Sequence, residues 1–144
     1  EEAEAAFRNV LDLDSDYRGA RVLLARVLVT QGRLREAKNL VLDEPSLPRR
    51  WIGLAIVNHP LGETEEAEAA LSQLLEYDVD CKYAWQIAEI YAFMDNADQA
   101  FAWLDRAYAL RDVGLTYLKG NPYFVKFRKD PRYLDQLNRL GLSG

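Results

Sequence analysis

Small and apolar residues recur along the chain at spacings that predict helices rather than strands. Three segments carry a mostly apolar triplet, with alanine in the middle, at positions i, i+1 and i+4 of a helix face. The triplets are Leu24-Ala25-Leu28, Leu54-Ala55-Asn58 and Ile87-Ala88-Tyr91. Alanine at such a position lets a second helix approach closely. The pattern therefore predicts helices that pair through these faces.

A second helical pattern follows each triplet and repeats along the chain. Residues 1–7 and 65–71 agree at six of seven positions, and weaker copies lie at 35–41 and 98–104. Aligning the copies on an alanine gives Ala3, Ala37, Ala67 and Ala100, with spacings of 34, 30 and 33 residues. Repeats of this length, each a pair of helices, stack into solenoids.

The turns between paired helices are also predictable. Gly32, Gly62 and Asp95 fall where the first helix of each pair ends, and these residue types tolerate the left-handed backbone found there. The 30-residue interval coincides with Pro45 and Pro48, and proline interrupts helices. We therefore expect the helix from about Leu34 to Asp43 to be one turn short.

On these spacings the chain resembles the tetratricopeptide repeat family over nearly its whole length. The resemblance implies an all-α fold, a right-handed superhelix of helical hairpins forming a single domain. We expect a half repeat at 1–17, repeats at 18–47, 48–80 and 81–113, and a C-terminal cap at 114–144. Trp51 fills the family's aromatic position, whereas Arg21 and Ala84 depart from it. Ser15, Val79 and Asp112 replace the family's proline.

The tail after Gly114 loses the repeat. Asn121-Pro122 and Asp130-Pro131 each resemble a helix start, an N-cap followed by proline. The second start predicts a short helix ended by Gly141, with one apolar side made of Tyr133, Leu134, Leu137 and Leu140. Residues 65–142 also resemble the tails of bacterial multidomain regulators with cyclase, kinase or winged-helix domains. Glu1 lies inside a helical pattern, so we expect a C-terminal fragment of such a protein.

Composition argues against several functions. The net charge is −5 and the basic residues are scattered, which disfavours nucleic-acid binding. No apolar stretch is long enough to span a membrane. The single histidine, His59, and the single cysteine, Cys81, cannot build a conventional zinc site, and neither lies in a nucleophile–base pattern. We therefore expect no enzyme activity, no cofactor and no metal, and the lone cysteine fits a cytoplasmic protein.

The family resemblance implies a partner-binding groove lined by the first helix of each repeat. The expected partner is a protein or peptide with an acidic group and an apolar anchor. Helical spacing assigns the lining positions to Val22, Arg26, Val29, Thr30, Arg49, Ile52, Ile56, His59, Lys82, Trp85, Glu89 and Phe93. The Lys and Asn clamp with which some family members hold chaperone peptides is absent, since its places hold Val22, Arg26 and Ile52.

Self-association is the main alternative to a groove for another protein. Phe7, Val10 and Leu11 form an apolar face on the leading half repeat, and we expect this face to lack a partner helix within the chain. Exposed apolar faces of this kind drive association. The sequence therefore leaves two interpretations open, a binding module and a homodimerising module.

Overall fold

The computed structural model describes residues 1–14 and 19–143. Within these residues the chain forms α-helices and two 3₁₀ helices and no strand, which confirms the predicted all-α class. The α-helices are α1 (Glu2–Leu13), α2 (Ala20–Thr30), α3 (Leu34–Leu42), α4 (Leu47–Asn58), α5 (Thr64–Tyr77), α6 (Ala84–Phe93), α7 (Ala97–Ala109) and α8 (Pro131–Arg139). The 3₁₀ helices span Val113–Gly120 and Val125–Phe127.

The chain divides into two compact units, Glu1–Tyr77 and Asp78–Gly144. The repeat boundaries stay predictions. The first of them, between residues 17 and 18, lies outside the described residues, as does Ser15.

The first unit is built from helices that pack on their sequence neighbours. From α1 to α5 each helix contacts the next, and α2 also packs against α4. The triplet Leu24-Ala25-Leu28 is buried as predicted. Its core cluster comprises Leu24, Ala25, Leu28, Ala37, Val41 and Val57.

The three predicted turns have the expected backbone. The φ angles of Gly32, Gly62 and Asp95 are +76°, +79° and +62°, in the left-handed region. In each turn the following N–H donates to a carbonyl five residues earlier: Arg33 to Leu28 at 2.9 Å, Glu63 to Asn58 at 3.0 Å and Asn96 to Tyr91 at 2.9 Å. This is the Schellman closure, which satisfies carbonyls left open at a helix end.

The second helix of the short interval is truncated, as predicted. Helix α3 has 9 residues, against 14 in α5 and 13 in α7. Helix α4 then lies very close to α3, because Gly53 has no side chain. A Cβ atom at Gly53 would lie 2.6 Å from a methyl carbon of Val41.

The second unit combines the hairpin of α6 and α7 with an irregular tail. The predicted start at Asp130 is confirmed: its carboxylate accepts the Arg132 N–H at 2.9 Å, with Pro131 at the first helical position. The predicted helix start at Asn121-Pro122 is wrong, because a turn and the 3₁₀ helix Val125–Phe127 follow. Phe124 and Phe127, three residues apart, both turn toward other aromatic rings, and three residues make one 3₁₀ turn.

Helix α8 buries the predicted side in part, and Leu134 is the residue that departs from the prediction. Tyr133 and Leu137 are buried, and Gly141 ends the helix with a φ of +71°. Leu134 is 51% exposed, and Gln136 is buried in its place. The Gln136 side-chain amide donates a hydrogen bond to the Asp105 carboxylate on α7. This contact turns the Gln136 side of α8 toward α7.

Candidate functional site

The predicted groove positions of the first unit lie on α2 and α4, which pack against each other, and at His59, which directly follows α4. Val22, Ile52 and Ile56 are buried, so these three side chains offer a partner almost no accessible surface. Arg26, Arg49 and His59 are half-buried and Thr30 is exposed. We call these four residues the α2–α4 surface. The accessible part of this surface is therefore polar and cationic, with the aliphatic side chains beneath it.

The polar positions of this surface have distinct local roles. The Thr30 hydroxyl donates to the Val27 carbonyl at 2.6 Å, so it is engaged by its own helix. Arg50, next to Arg49, donates to the Glu44 carbonyl at 2.8 Å and holds the loop before α4. A guanidinium can bind a carboxylate through two parallel hydrogen bonds. Arg26 and Arg49 both carry such a guanidinium on this surface.

In the second unit, the predicted groove positions on α6 are covered by the chain itself. The covering segment is Asn121-Pro122-Tyr123-Phe124, which we call the NPYF turn. The Trp85 ring stacks on Phe124 with centroids 5.8 Å apart. The Phe93 ring lies 5.1 Å from that of Tyr123.

Between these two ring contacts lies a buried polar one. The Asn121 side-chain N–H donates to the Glu89 carboxylate at 2.8 Å, and both residues are buried. A carboxylate is costly to bury unless hydrogen bonds replace its water. The α6 face that sequence analysis assigned to a partner is therefore filled within the second unit, and Trp85 and Glu89 are not accessible.

The remaining predicted position, Lys82, precedes α6 rather than lying on it. Its backbone N–H and that of Tyr83 each donate to the Asp78 carboxylate at 2.8 Å. The Lys82 side chain is exposed. Asp78 is buried and fixes this entry loop, a role that nothing in the repeat pattern indicated.

Trp85 is held from several sides. Its backbone N–H donates to the Asp112 carboxylate at 3.3 Å, and the other Asp112 oxygen accepts the Gly114 backbone N–H at 2.9 Å. A Cβ atom at Gly114 would lie 2.4 Å from the Trp85 ring. The Trp85 ring therefore packs directly on the backbone of the 3₁₀ helix Val113–Gly120. In the sequence, the repeat pattern is lost at Gly114, the residue at which this contact is made.

The apolar face of α1 is not unpaired, contrary to the prediction. Phe7 and Leu11 pack against the core cluster of the first unit, and Val10 is half-buried. Helix α2 supplies the surface, because it contacts α1 directly. The predicted self-association surface is thus reduced to the parts of these side chains that stay exposed.

Charged side chains also fasten α1 to α3 and the turn before it. Arg33 contacts Glu4 at 2.9 Å and Glu36 at 2.7 Å, and Arg8 contacts Glu36 at 2.7 Å. Hydrogen bonds from Arg33, and then from Arg8 and Gln31, lower the pKa of Glu4 from 4.5 to about 2. The carboxylate form of Glu4 is therefore the form that the folded first unit favours.

Helices α7 and α8 share a pair of matching contacts that sequence analysis missed. The Arg132 guanidinium contacts Asp98 at 2.8 Å and lies over the Phe101 ring. Seven residues later, Arg139 contacts Asp105 at 3.0 Å and lies over the Tyr108 ring. The signal was present as Asp followed by an aromatic three residues later, twice in α7, because residues at this spacing share a helix face.

The geometry of the described part of the chain also bears on metal binding and on membrane-spanning helices. Across residues 1–14 and 19–143, no group of three His, Cys, Asp or Glu side chains could hold a metal ion. None of the helices in that part is both long and apolar enough to cross a membrane. Burial raises the pKa of Tyr91 and of Tyr133.

Comparison with protein families supports the repeat interpretation at the N-terminal end. Residues 1–46 match the tetratricopeptide repeat family. The matched region contains α1, α2 and α3, and tetratricopeptide repeats generally mediate protein–protein interactions. Neither the curated proteins nor the solved structures compared with the chain yield a match. The predicted kinship of the tail with bacterial regulatory proteins stays a prediction.

Proposed function

We propose that the chain is a non-catalytic protein-binding module and that the α2–α4 surface takes the partner. The observation that carries this proposal is the direct packing of α2 against α4. Because these are the first helices of consecutive hairpins, their outward positions form one continuous surface. The tetratricopeptide match of residues 1–46, which includes all of α2, supports the same use.

The chemistry of the surface specifies the kind of partner. Arg26, Arg49 and His59 contribute cationic or hydrogen-bonding groups, and the neighbouring aliphatic side chains are buried. Arginine is one of the residue types that most often dominate binding energy at interfaces. The partner is a peptide or protein segment with a carboxylate for the arginines.

A selection from a random peptide display library against the whole chain tests this proposal. The selected peptides should be enriched in Asp or Glu. The affinity of a selected peptide for an Arg49→Ala variant should fall about tenfold or more, which corresponds to about 1.4 kcal/mol of binding free energy. Adding Arg26→Ala should lower the affinity further.

Arg35→Ala is the matched control. Arg35 lies on α3, its side chain is 77% exposed, and it contacts Glu63 at 3.6 Å. This control removes one positive charge from the same unit without touching the α2–α4 surface. Equal loss of affinity in Arg35→Ala and Arg49→Ala would indicate a general charge effect. Full affinity in the Arg26→Ala, Arg49→Ala double variant would place the site elsewhere.

A further inference from the structure

The NPYF turn contacts α6 in the way a bound peptide contacts a receptor helix. Its side chains meet Trp85, Glu89 and Phe93, which are spaced four residues apart and so lie on one side of α6. Two contacts are aromatic and the middle one is a hydrogen bond to a buried carboxylate. The contacts to α6 thus come from Asn121, Tyr123 and Phe124, three side chains within four consecutive residues.

The shape of the NPYF turn is set by its own backbone. The Asn121 side-chain oxygen accepts the Tyr123 N–H at 2.9 Å, and the Asn121 carbonyl accepts the N–H groups of Phe124 and Val125 at 3.2 Å each. Pro122 fixes a backbone angle within the turn. A short peptide of this sequence is therefore biased toward the bound shape, which lowers the entropy lost on binding.

Glu89 makes the α6 face selective. The carboxylate is 4% exposed, so a segment that replaces the NPYF turn binds best when it brings a hydrogen-bond donor to the place of the Asn121 amide. The side-chain amide of Asn121 performs two functions at once. Its oxygen holds the turn and its nitrogen satisfies Glu89. A purely apolar segment would leave the carboxylate buried without this donor.

We propose that the α6 face is a second binding site, held closed by the NPYF turn, for partner segments with a side-chain amide followed two and three residues later by aromatic residues. The partner competes with the chain's own turn. This inference does not depend on the α2–α4 surface, since it concerns the second unit alone. A closed site lowers the apparent affinity for the partner by the fraction of molecules that are open.

A fluorescent peptide spanning residues 119–129 serves as the probe, with binding to the whole chain followed by fluorescence anisotropy. The Phe124→Ala variant loses the ring that stacks on Trp85 and should bind the peptide at least about ten times more tightly than the wild type. Adding Trp85→Ala to that variant should abolish binding. A peptide in which alanine replaces Asn121 should bind the Phe124→Ala variant at least about tenfold more weakly, because the hydrogen bond that the Asn121 amide donates to Glu89 is lost.

Val125→Ala is the matched control, since Val125 follows the turn directly and is 48% exposed. This variant should bind the peptide no better than the wild type. Equal binding by the wild type and the Phe124→Ala variant, or no binding by a folded Phe124→Ala variant, would overturn the proposal. A doubled mass of the wild-type chain in light scattering, lost only when Phe124 is replaced, would also overturn the proposal. That result would mean that the turn is exchanged between two copies of the chain.

Amide hydrogen exchange on the wild-type chain provides a test that needs no variant. If a partner can replace the NPYF turn, the turn must open while α6 and α7 stay folded. The amides of the turn should therefore exchange faster than those in the middle of α7. Exchange of the turn only together with α7 would make it part of the core and overturn the proposal. The Arg26→Ala, Arg49→Ala double variant should leave peptide binding to the Phe124→Ala chain unchanged, which separates this test from that of the α2–α4 surface.

Discussion

Equivalent positions on the first helices of the hairpins are used differently in the two units. Two residues before each triplet stand Val22, Ile52 and Trp85, and all three are buried. Four residues further along, Arg26 is half-buried, whereas Ile56 and Glu89 are buried. Helix α2 thus keeps a cation near the surface at a position where α4 buries an aliphatic side chain and α6 buries an anion beneath the NPYF turn.

The difference shows what a groove position requires besides the repeat. An aliphatic residue such as Val22 can be covered by the neighbouring helix face, but an indole ring presents more apolar area and needs a dedicated cover. In the second unit that cover is Phe124, together with the backbone at Gly114. Variants that remove or displace this cover test most directly whether the second unit depends on it.

Phe124→Ala should have the largest effect on stability. The Phe124 side chain has 0% exposure, and truncating a buried phenylalanine typically costs about 3–5 kcal/mol. Hydrogen exchange should show weaker protection in α6 and α7, which stay folded, while α2 and α3 keep theirs. Val125→Ala, at an exposed neighbour, should change stability by less than about 0.5 kcal/mol. Uniform loss of protection in both units would contradict the expectation that the stability of the second unit alone depends on the NPYF turn.

Gly114→Ala should have the next largest effect. The added methyl group would lie 2.4 Å from the Trp85 ring, so the ring or the 3₁₀ backbone must move, at a cost of about 1–3 kcal/mol. The control is Gly120→Ala in the same 3₁₀ helix, where a Cβ atom would meet nothing within 4 Å. Urea denaturation of both variants measures the difference. Equal midpoints would mean that the Trp85 ring moves aside without cost.

Features set by local sequence could be predicted, and the structure bears them out. The left-handed turns at Gly32, Gly62 and Asp95 follow from the few residue types that tolerate this backbone. The short α3 follows from the prolines after it, and the α8 start follows from Asp130-Pro131. Each of these depends on interactions within a few residues, so a single sequence contains the information.

Features set by contacts between distant segments could not be predicted in the same way. The residue types at the outward positions of α6 do not indicate that another segment covers them. The covering NPYF turn lies about thirty residues later, and its contacts depend on the path of the tail. Leu134 matched the apolar period of α8, yet the polar contact of Gln136 with Asp105 determined which side faces α7. Arg111 adopts a φ of +56° at the end of α7, where its residue type gave no signal.

Glu4→Gln should have the smallest effect on stability, and it tests how the first unit holds α1. That unit fastens α1 with ion pairs, whereas the second unit fastens the NPYF turn chiefly through aromatic rings. Since the folded pKa of Glu4 is about 2 and its ordinary value is 4.5, its carboxylate stabilises the fold above pH 4.5. This contribution is lost as the pH falls from 4.5 to about 2. The wild-type chain should therefore lose protection in α1 within this window.

The Glu4→Gln variant should show a shallower pH dependence of α1 protection across the same window, because the group that binds the extra proton is gone. Glu36 shares the arginines and its pKa is also lowered, by hydrogen bonds from Arg8 and Arg33, so part of the dependence should remain. Glu2→Gln, at an exposed position on the same helix, is the control and should retain the wild-type profile. Identical profiles for Glu4→Gln and the wild type would show that α1 is held by Phe7 and Leu11 rather than by its ion pairs.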